Sequence, residues 1–242
     1  MFLNILLPVY NEERRIERGV EGTIDFLSSI GFDDYRITIE DNASTDDTGK
    51  KALEMSAKHP QVYYDRLEHK GVGIAFANGV MKNTCEVVGY MDIDLSTDVR
   101  HLREVIEIMQ ADPACMMING SRWSRESETT GRKWYRNLSS HGLTRLLKIF
   151  LKMKASDSIC GFKFFRNKFA KELIDESSRE ERGWFFIIEI LLRAERKNVK
   201  IHELPVRWKD DYDSKVDYIK VIKNYLSDIK RLRRDFKSEK IL

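Results

Sequence analysis

Apolar positions in the first half of the chain alternate between two rhythms. Asn4 to Val9 (NILLPV) is an unbroken apolar run of strand length, as expected for a strand buried on both faces. From Glu12 to Ser28 the rhythm changes, and Ile16, Val20, Ile24 and Leu27 recur at helical spacing. The alternation continues with a strand at Tyr35 to Ile39, a helix at Asp47 to Lys58 and a short strand at Val62 to Asp65. A glycine-bearing turn, Gly71-Val72-Gly73, opens a helix running to about Asn83. A strand at Val87 to Met91, a helix at Val99 to Gln110 and a strand at Cys115 to Asn119 follow. Strands separated by helices predict an α/β fold, a mostly parallel sheet flanked by helices.

The second half is less regular. Leu143, Leu146, Leu147, Phe150 and Met153 fall on one helical face, with Arg145, Lys148 and Lys152 opposite. Ile159 to Phe165 reads as a strand, Lys168 to Asp175 and Phe185 to Lys197 as helices, and Lys200 to Trp208 as one further strand. From residue 216 the tail is amphipathic. Tyr218, Ile219, Ile222, Tyr225, Leu226, Ile229 and Phe236 lie on one side, and Lys220, Lys223, Lys230, Arg231 and Arg234 on the other. Both amphipathic segments suit either a helix docked on its own domain (for the tail, also a dimerisation helix) or one lying in a lipid interface.

Charge refines this picture. Over 242 residues, 42 Lys+Arg against 39 Asp+Glu leave a formal net charge of +3, no basis for a nucleic-acid binder. The excess is local: residues 215–242 hold nine Lys/Arg and four Asp/Glu, so the tail carries +5 and the rest −2. Cys85, Cys115 and Cys160 are far apart and lack zinc-ligand spacing, which suits a reducing, cytoplasmic setting. The apolar run in MFLNILLPVYNEE is too short for a signal peptide. Nothing approaches the roughly 18 apolar residues of a spanning helix, so membrane contact is expected to be peripheral.

The chemistry centres on Asp92-Ile93-Asp94, just after the predicted strand Val87 to Met91. Ligands of open α/β sheets bind beyond the carboxyl ends of strands. Two carboxylates spaced i, i+2 there can turn toward one hard cation, Mg²⁺ or Mn²⁺, that also carries diphosphate oxygens. Glu40-Asp41-Asn42 ends a second strand in the same way and can accept from a base N–H or a ribose hydroxyl. Ser44, Thr45 or Asp46 could equally cap the helix that follows. Gly71-Val72-Gly73 lacks the third glycine of a dinucleotide fingerprint, and no P-loop is present.

In order along the chain, LLPVYNEE (6–13), ITIEDNASTDDT (37–48), HKGVGIAFANG (69–79), GYMDIDLST (89–97) and NGSRW (119–123) resemble the motifs of family 2 glycosyltransferases. DSICGFKFFR (157–166), RGWFFIIEILL (182–192) and IHELPVRWKDDYDSKV (201–216) are similar to dolichyl-phosphate mannose synthases and, more so, dolichyl-phosphate glucosyltransferases. The resemblance implies a GT-A (Rossmann-like) domain over 1–215, with a nucleotide-sugar half at 1–120 and an acceptor half at 121–215. A basic amphipathic helix at 216–242 would follow.

It also implies roles. Pro8, Tyr10, Asn11 and Glu12 would line the nucleoside pocket, Asp41 would read the base, and Lys70 would sit near the nucleotide. Asp92 and Asp94 would hold the cation and donor diphosphate, and Arg122, Arg136, Ser214 and Lys215 would gather the acceptor phosphate, with Asp94, Arg122 and Lys215 the catalytic set. Guanidinium forks suit phosphate oxygens. Three positions depart from the family: Glu40 replaces Asp, Asp213 replaces the glycine before Ser214-Lys215, and Ser96 replaces the Gln of mannose synthases.

The implied reaction is inverting transfer of a hexose from UDP-glucose or GDP-mannose to a polyprenyl phosphate. Two alternatives stand beside it. A saccharide hydroxyl acceptor would need a general base, for which Asp157 is the nearby residue, and a non-catalytic sugar-nucleotide-binding subunit would not need Asp92, Asp94 and Arg122. Of the four tryptophans, Trp208 is the one expected to border the site.

Overall fold

The computed structural model describes residues 1–131, 134–178, 183–210 and 218–238, with the side chains of 134–139 and 218–224 outside that description. Its strands are β1 (Leu3–Val9), β2 (Tyr35–Asp41), β3 (Val62–Arg66), β4 (Val87–Met91), β5 (Cys115–Ser121), β6 (Glu128–Thr130), β7 (Phe162–Arg166), β8 (Lys200–Pro205) and β9 (Arg207–Lys209). The helices are α1 (Ile16–Ser29), α2 (Thr48–Lys58), α3 (Val72–Lys82), α4 (His101–Ala111), α5 (Trp134–Leu151), α6 (Asn167–Asp175), α7 (Phe185–Arg196) and α8 (Tyr218–Ser238).

Seven strands form one sheet in the order β3-β2-β1-β4-β7-β5-β8, and β6 pairs with β9 in a small second sheet. Alternation along β1 shows why the sheet needs helices on both faces. Leu3, Ile5 and Leu7 face a core shared with α1, α2 and α4, while Leu6 faces one shared with α3, α5, α6, α7 and α8.

The parallel expectation holds for all but one strand. β7 runs antiparallel to both β4 and β5. Residues 152–161, after α5, bring the chain to the edge where β4 and β5 end, so β7 must start there and run the other way. It also starts later than Ile159, because 157–161 is taken up by contacts to the site. The strand predicted from Lys200 to Trp208 divides at Val206, whose N–H donates to Ser121 O (2.9 Å), leaving β9 to pair with β6. β6 is three residues long and has no periodicity to read.

Close approaches of α1 and α3 depend on glycine. A Cβ on Gly19 of α1 would overlap the carbonyl oxygen of Ile93, within the acidic triplet. A Cβ on Gly73 would press on Phe186 and Gly183, so this glycine lets α3 approach α7. From Ile229 to Phe236 the basic tail is docked on its own domain. Ile229, Leu232 and Phe236 are buried, and Arg231 donates to Glu189 (2.8 Å), which is fully buried and also holds Arg193 (2.9 Å). Of the apolar tail residues, Leu226 stays exposed, as do Ile149 and Phe150 on α5.

Candidate active site

The carboxyl ends of β1 to β5 and the amino end of β7 share one edge of the sheet, and the loops there are tied together by side chains. After β1, the backbone of Asn11 sits in the left-handed region (φ 56°). Its N–H donates to Ser44 Oγ (3.0 Å) and its Oδ1 accepts from Thr45 N–H (2.8 Å). Glu12 N–H donates to Thr48 Oγ1 (2.7 Å), and the Glu12 carboxylate pairs with Arg15 (2.8 Å). Asn42 Oδ1 accepts from Gly71 N–H (2.6 Å), and the Lys70 ammonium lies 3.4 Å from the centroid of the Tyr10 ring. Asn11 and Glu12 are thereby tied to the loop after β2, and Lys70 to Tyr10, while Pro8 pairs within the sheet opposite Glu40.

Asp41 is placed differently from expectation. It is fully buried: Oδ1 accepts from Ser44 N–H (2.8 Å), and Oδ2 from Tyr64 Oη and Arg66 Nη1 (both 2.8 Å). The groups it presents outward are the Tyr64 hydroxyl and the half-exposed Arg66 guanidinium, which line a surface cavity with Ser44, Thr45, Asp46 and Gly49. Neither residue could be singled out in sequence: Tyr64 read only as part of the short strand Val62 to Asp65, and Arg66 fell just beyond it. Asp46 Oδ1 accepts from Thr48 N–H (3.0 Å), a local i→i+2 bond at the start of α2, whose boundary residue Asp47 makes no side-chain cap.

Asp92 and Asp94 flank the buried Ile93 at the end of β4. The triplet is braced from three sides. Arg18 of α1 donates to Asp94 O (2.8 Å), Asp94 Oδ1 accepts from Ser96 N–H (2.8 Å), and Gly161 lies so close that a Cβ there would overlap the Asp92 carboxyl. The Asp92 carboxylate accepts no hydrogen bond among the described residues. Burial, then the charge of Asp94, push its pKa up to about 7. Two adjacent carboxylates, one of them unpartnered, fit a hard divalent cation that completes its shell with ligand oxygens. Among the described residues no group of three or more His, Cys, Asp or Glu forms a self-sufficient metal site.

Arg122, just after β5, lies near two indoles, 5.7 Å from the Trp123 centroid and 5.5 Å from that of Trp208. It is held by Asp157 through Nε (2.7 Å), Nη2 (2.9 Å) and the backbone N–H (3.2 Å). Ile159 N–H supplies a further donor to Asp157 (3.1 Å). Burial alone would raise the Asp157 pKa, but Arg122 more than offsets it and holds the carboxylate below its ordinary range. Asp157 is therefore the clamp on Arg122 and is poorly suited to the general-base role considered from sequence.

Sequence reading also missed Lys163, a fully buried lysine whose ammonium donates to Cys160 O (2.8 Å). Its only outward signal was a charged residue inside an apolar strand. Arg136 falls within α5 with its side chain outside the description, and Ser214 and Lys215 lie outside the described residues.

Comparison with known proteins finds matches among glycosyltransferases. The model of "Glycosyl transferase family 2" matches residues 4–174. Glycosyltransferase AglD of Haloferax volcanii is 31% identical over 95% of this chain, which spans only 36% of AglD's own length. The dolichyl-phosphate beta-glucosyltransferase of Saccharomyces cerevisiae is 26% identical over 93% of this chain and 73% of that protein. Among solved structures, glucosyl-3-phosphoglycerate synthase from Mycobacterium tuberculosis with Mn²⁺ and UDP-glucose superposes with a TM-score of 0.70 at 13% identity. That match covers 96% of this chain and 78% of the other.

Proposed function

The chain belongs to glycosyl transferase family 2, and on that footing we propose that it transfers a hexose from a nucleotide sugar, UDP-glucose before GDP-mannose, to a polyprenyl phosphate. The observation that carries the choice of acceptor is the Asp157–Arg122 clamp. A saccharide hydroxyl needs a base to remove its proton, and Asp157 is committed to four donors. A phosphate acceptor arrives already ionised and needs positioning instead. The names of the relatives, dolichyl-phosphate beta-glucosyltransferases among them, support the same reading.

Each group then has a task. Pro8, Tyr10, Asn11, Glu12 and Lys70 hold the nucleoside and its phosphates, and Asp41 acts on the base through Tyr64 and Arg66, which it anchors. Asp92 and Asp94 hold Mg²⁺ or Mn²⁺, which supplies charge neutralisation on the departing diphosphate. Arg122 offers Nη1, which has no partner among the described residues, to the acceptor phosphate, with Arg136, Ser214 and Lys215 assigned beside it. Trp123 and Trp208 hold the guanidinium plane. The acceptor oxygen attacks the anomeric carbon in line as the nucleoside diphosphate leaves, inverting that centre.

No described helix is long and apolar enough to cross a membrane. Contact with the lipid that carries the acceptor is assigned to the outer face of α5 and α8, where Ile149, Phe150 and Leu226 are exposed beside Arg145, Lys148, Lys230 and Arg233.

The test is nucleoside diphosphate release from UDP- and GDP-sugars with Mg²⁺ or Mn²⁺, with and without a short polyprenyl phosphate. Release should require both metal and lipid phosphate, and Asp94→Ala should lower it by ~100-fold or more. Turnover with a saccharide and no lipid would replace this acceptor by a hydroxyl, and failure to bind any donor would end the transferase reading.

A further inference from the structure

Tyr90, Lys163 and Asn119 sit side by side on three neighbouring strands. In the register of the antiparallel pairs, Lys163 of β7 is opposite Tyr90 of β4 on one side and Asn119 of β5 on the other. Directly opposed residues point to the same face of a sheet with Cβ atoms about 5 Å apart, so the three form one transverse row. All three are buried, Lys163 and Asn119 completely. Their polar ends converge on one short loop. Tyr90 Oη (3.3 Å) and Lys163 Nζ (2.8 Å) both donate to Cys160 O, and Asn119 Nδ2 donates to Asp157 O (3.0 Å).

That loop carries two supports of the site. Asp157 clamps Arg122, and Gly161 backs the carboxyl of Asp92 and accepts from Asp92 N–H (3.2 Å). The row therefore fixes, from inside the sheet, both the guanidinium assigned to the acceptor and a carboxylate assigned to the cation. A buried ammonium is costly where an apolar side chain of similar length would fill the space. Lys163 is unexposed and cannot itself reach a substrate.

We propose that Lys163, with Tyr90 and Asn119 as its neighbours in the row, is a positioning residue that sets the 157–161 loop and through it Arg122 and Asp92. The assignment of those two groups to acceptor and cation rests on the transferase reading; the positioning itself does not.

The experiment uses the full chain and the variant Lys163→Met, which keeps the length of the side chain and removes its donor. Phenylglyoxal modifies accessible guanidinium groups, and peptide mapping by mass spectrometry gives a rate for each arginine. Arg122 is the reporter; Arg166, at the far end of β7 and donating to Cys115 O (3.2 Å), is the control. Arg122 should be modified about tenfold faster in Lys163→Met, through local opening, with Arg166 unchanged. Turnover should fall by about 100-fold, the cost of a shift of ~1 Å. Unchanged Arg122 labelling would overturn the proposal, and so would Arg122 and Arg166 accelerating together, which is general loosening. If Lys163→Met does not fold, Tyr90→Phe removes one of the two donors to Cys160 O and carries the same readout, with a rise of about threefold expected and no rise overturning it. A wild-type chain without turnover would sink the transferase reading and leave the labelling result to decide this one.

Discussion

Glu40 is buried beneath α3 with Oε1 unpartnered, while Oε2 accepts from Asn78 (3.1 Å). Burial, partly countered by Asn78 and reinforced by Asp65, raises its pKa to about 8. A carboxyl whose folded value lies above its unfolded one favours the folded state most below pH 4.5, and that contribution is lost as pH rises toward about 8. Glu40→Gln should therefore match the wild type near pH 5 and be more stable at pH 8.5, by about 4 kcal/mol, in thermal unfolding across that range. A difference that does not grow with pH would refute this. Gly161→Ala makes the opposite kind of change, driving a methyl group into the Asp92 carboxyl. It should cost about 1–3 kcal/mol of stability by overpacking and a disproportionate share of any metal-dependent turnover. At this scale the sequence shows residues whose partners are local. Asp92 and Asp94 stand two apart and Arg122 follows a strand, but the clamp of Asp157 on Arg122 spans 35 positions and leaves no local pattern.

Among the elements, α8 illustrates how an amphipathic pattern leaves its partner open. The same stripe suits a bilayer or a protein core, and hydrophobic periodicity alone does not decide between them. In the structure Ile229, Leu232 and Phe236 join the core of α3, α5, α6 and α7, and Arg231 neutralises the buried Glu189. Arg231→Met should destabilise the chain by about 2–3 kcal/mol in denaturant unfolding, the loss being softened because Arg193 still holds Glu189. The double variant Glu189→Gln/Arg231→Met removes the buried negative charge while keeping an oxygen acceptor for Arg193, and should recover part of that loss; simple additivity would mean that Glu189 and Arg231 act independently. The direction of β7 was not legible, for a different reason. Its apolar run is that of any buried strand, and direction is set by where the preceding loop leaves the chain, which depends on contacts between residues distant in sequence.

For the molecule as a whole, the outer surface of α5 and α8 is cationic. α5 has no acidic residue over its 18 positions, and the described outer stripe of α8 adds Lys230, Arg233 and Lys237. Sedimentation with anionic vesicles should carry the protein down at low salt and release it as salt rises, since screening lengths shrink to about 8 Å at physiological strength. Replacing Ile149 and Phe150 together by Asp should abolish the binding, and equal binding to neutral vesicles would show that charge has no part in it. The alternation of strands and helices, the sheet's mostly parallel character and the sheet edge that carries Asp92 and Asp94 were legible from the chain, because each follows from periodicity and short connections. The order of strands was not. β5 has no contact to β4 in the sheet and waits for β7, which is made more than forty residues later, to fill the space between them. During synthesis, then, β3-β2-β1-β4 can assemble while the chain is still growing, and the loops that carry Asn11, Asn42 and Asp92 are in place before Arg122 has any place to stand.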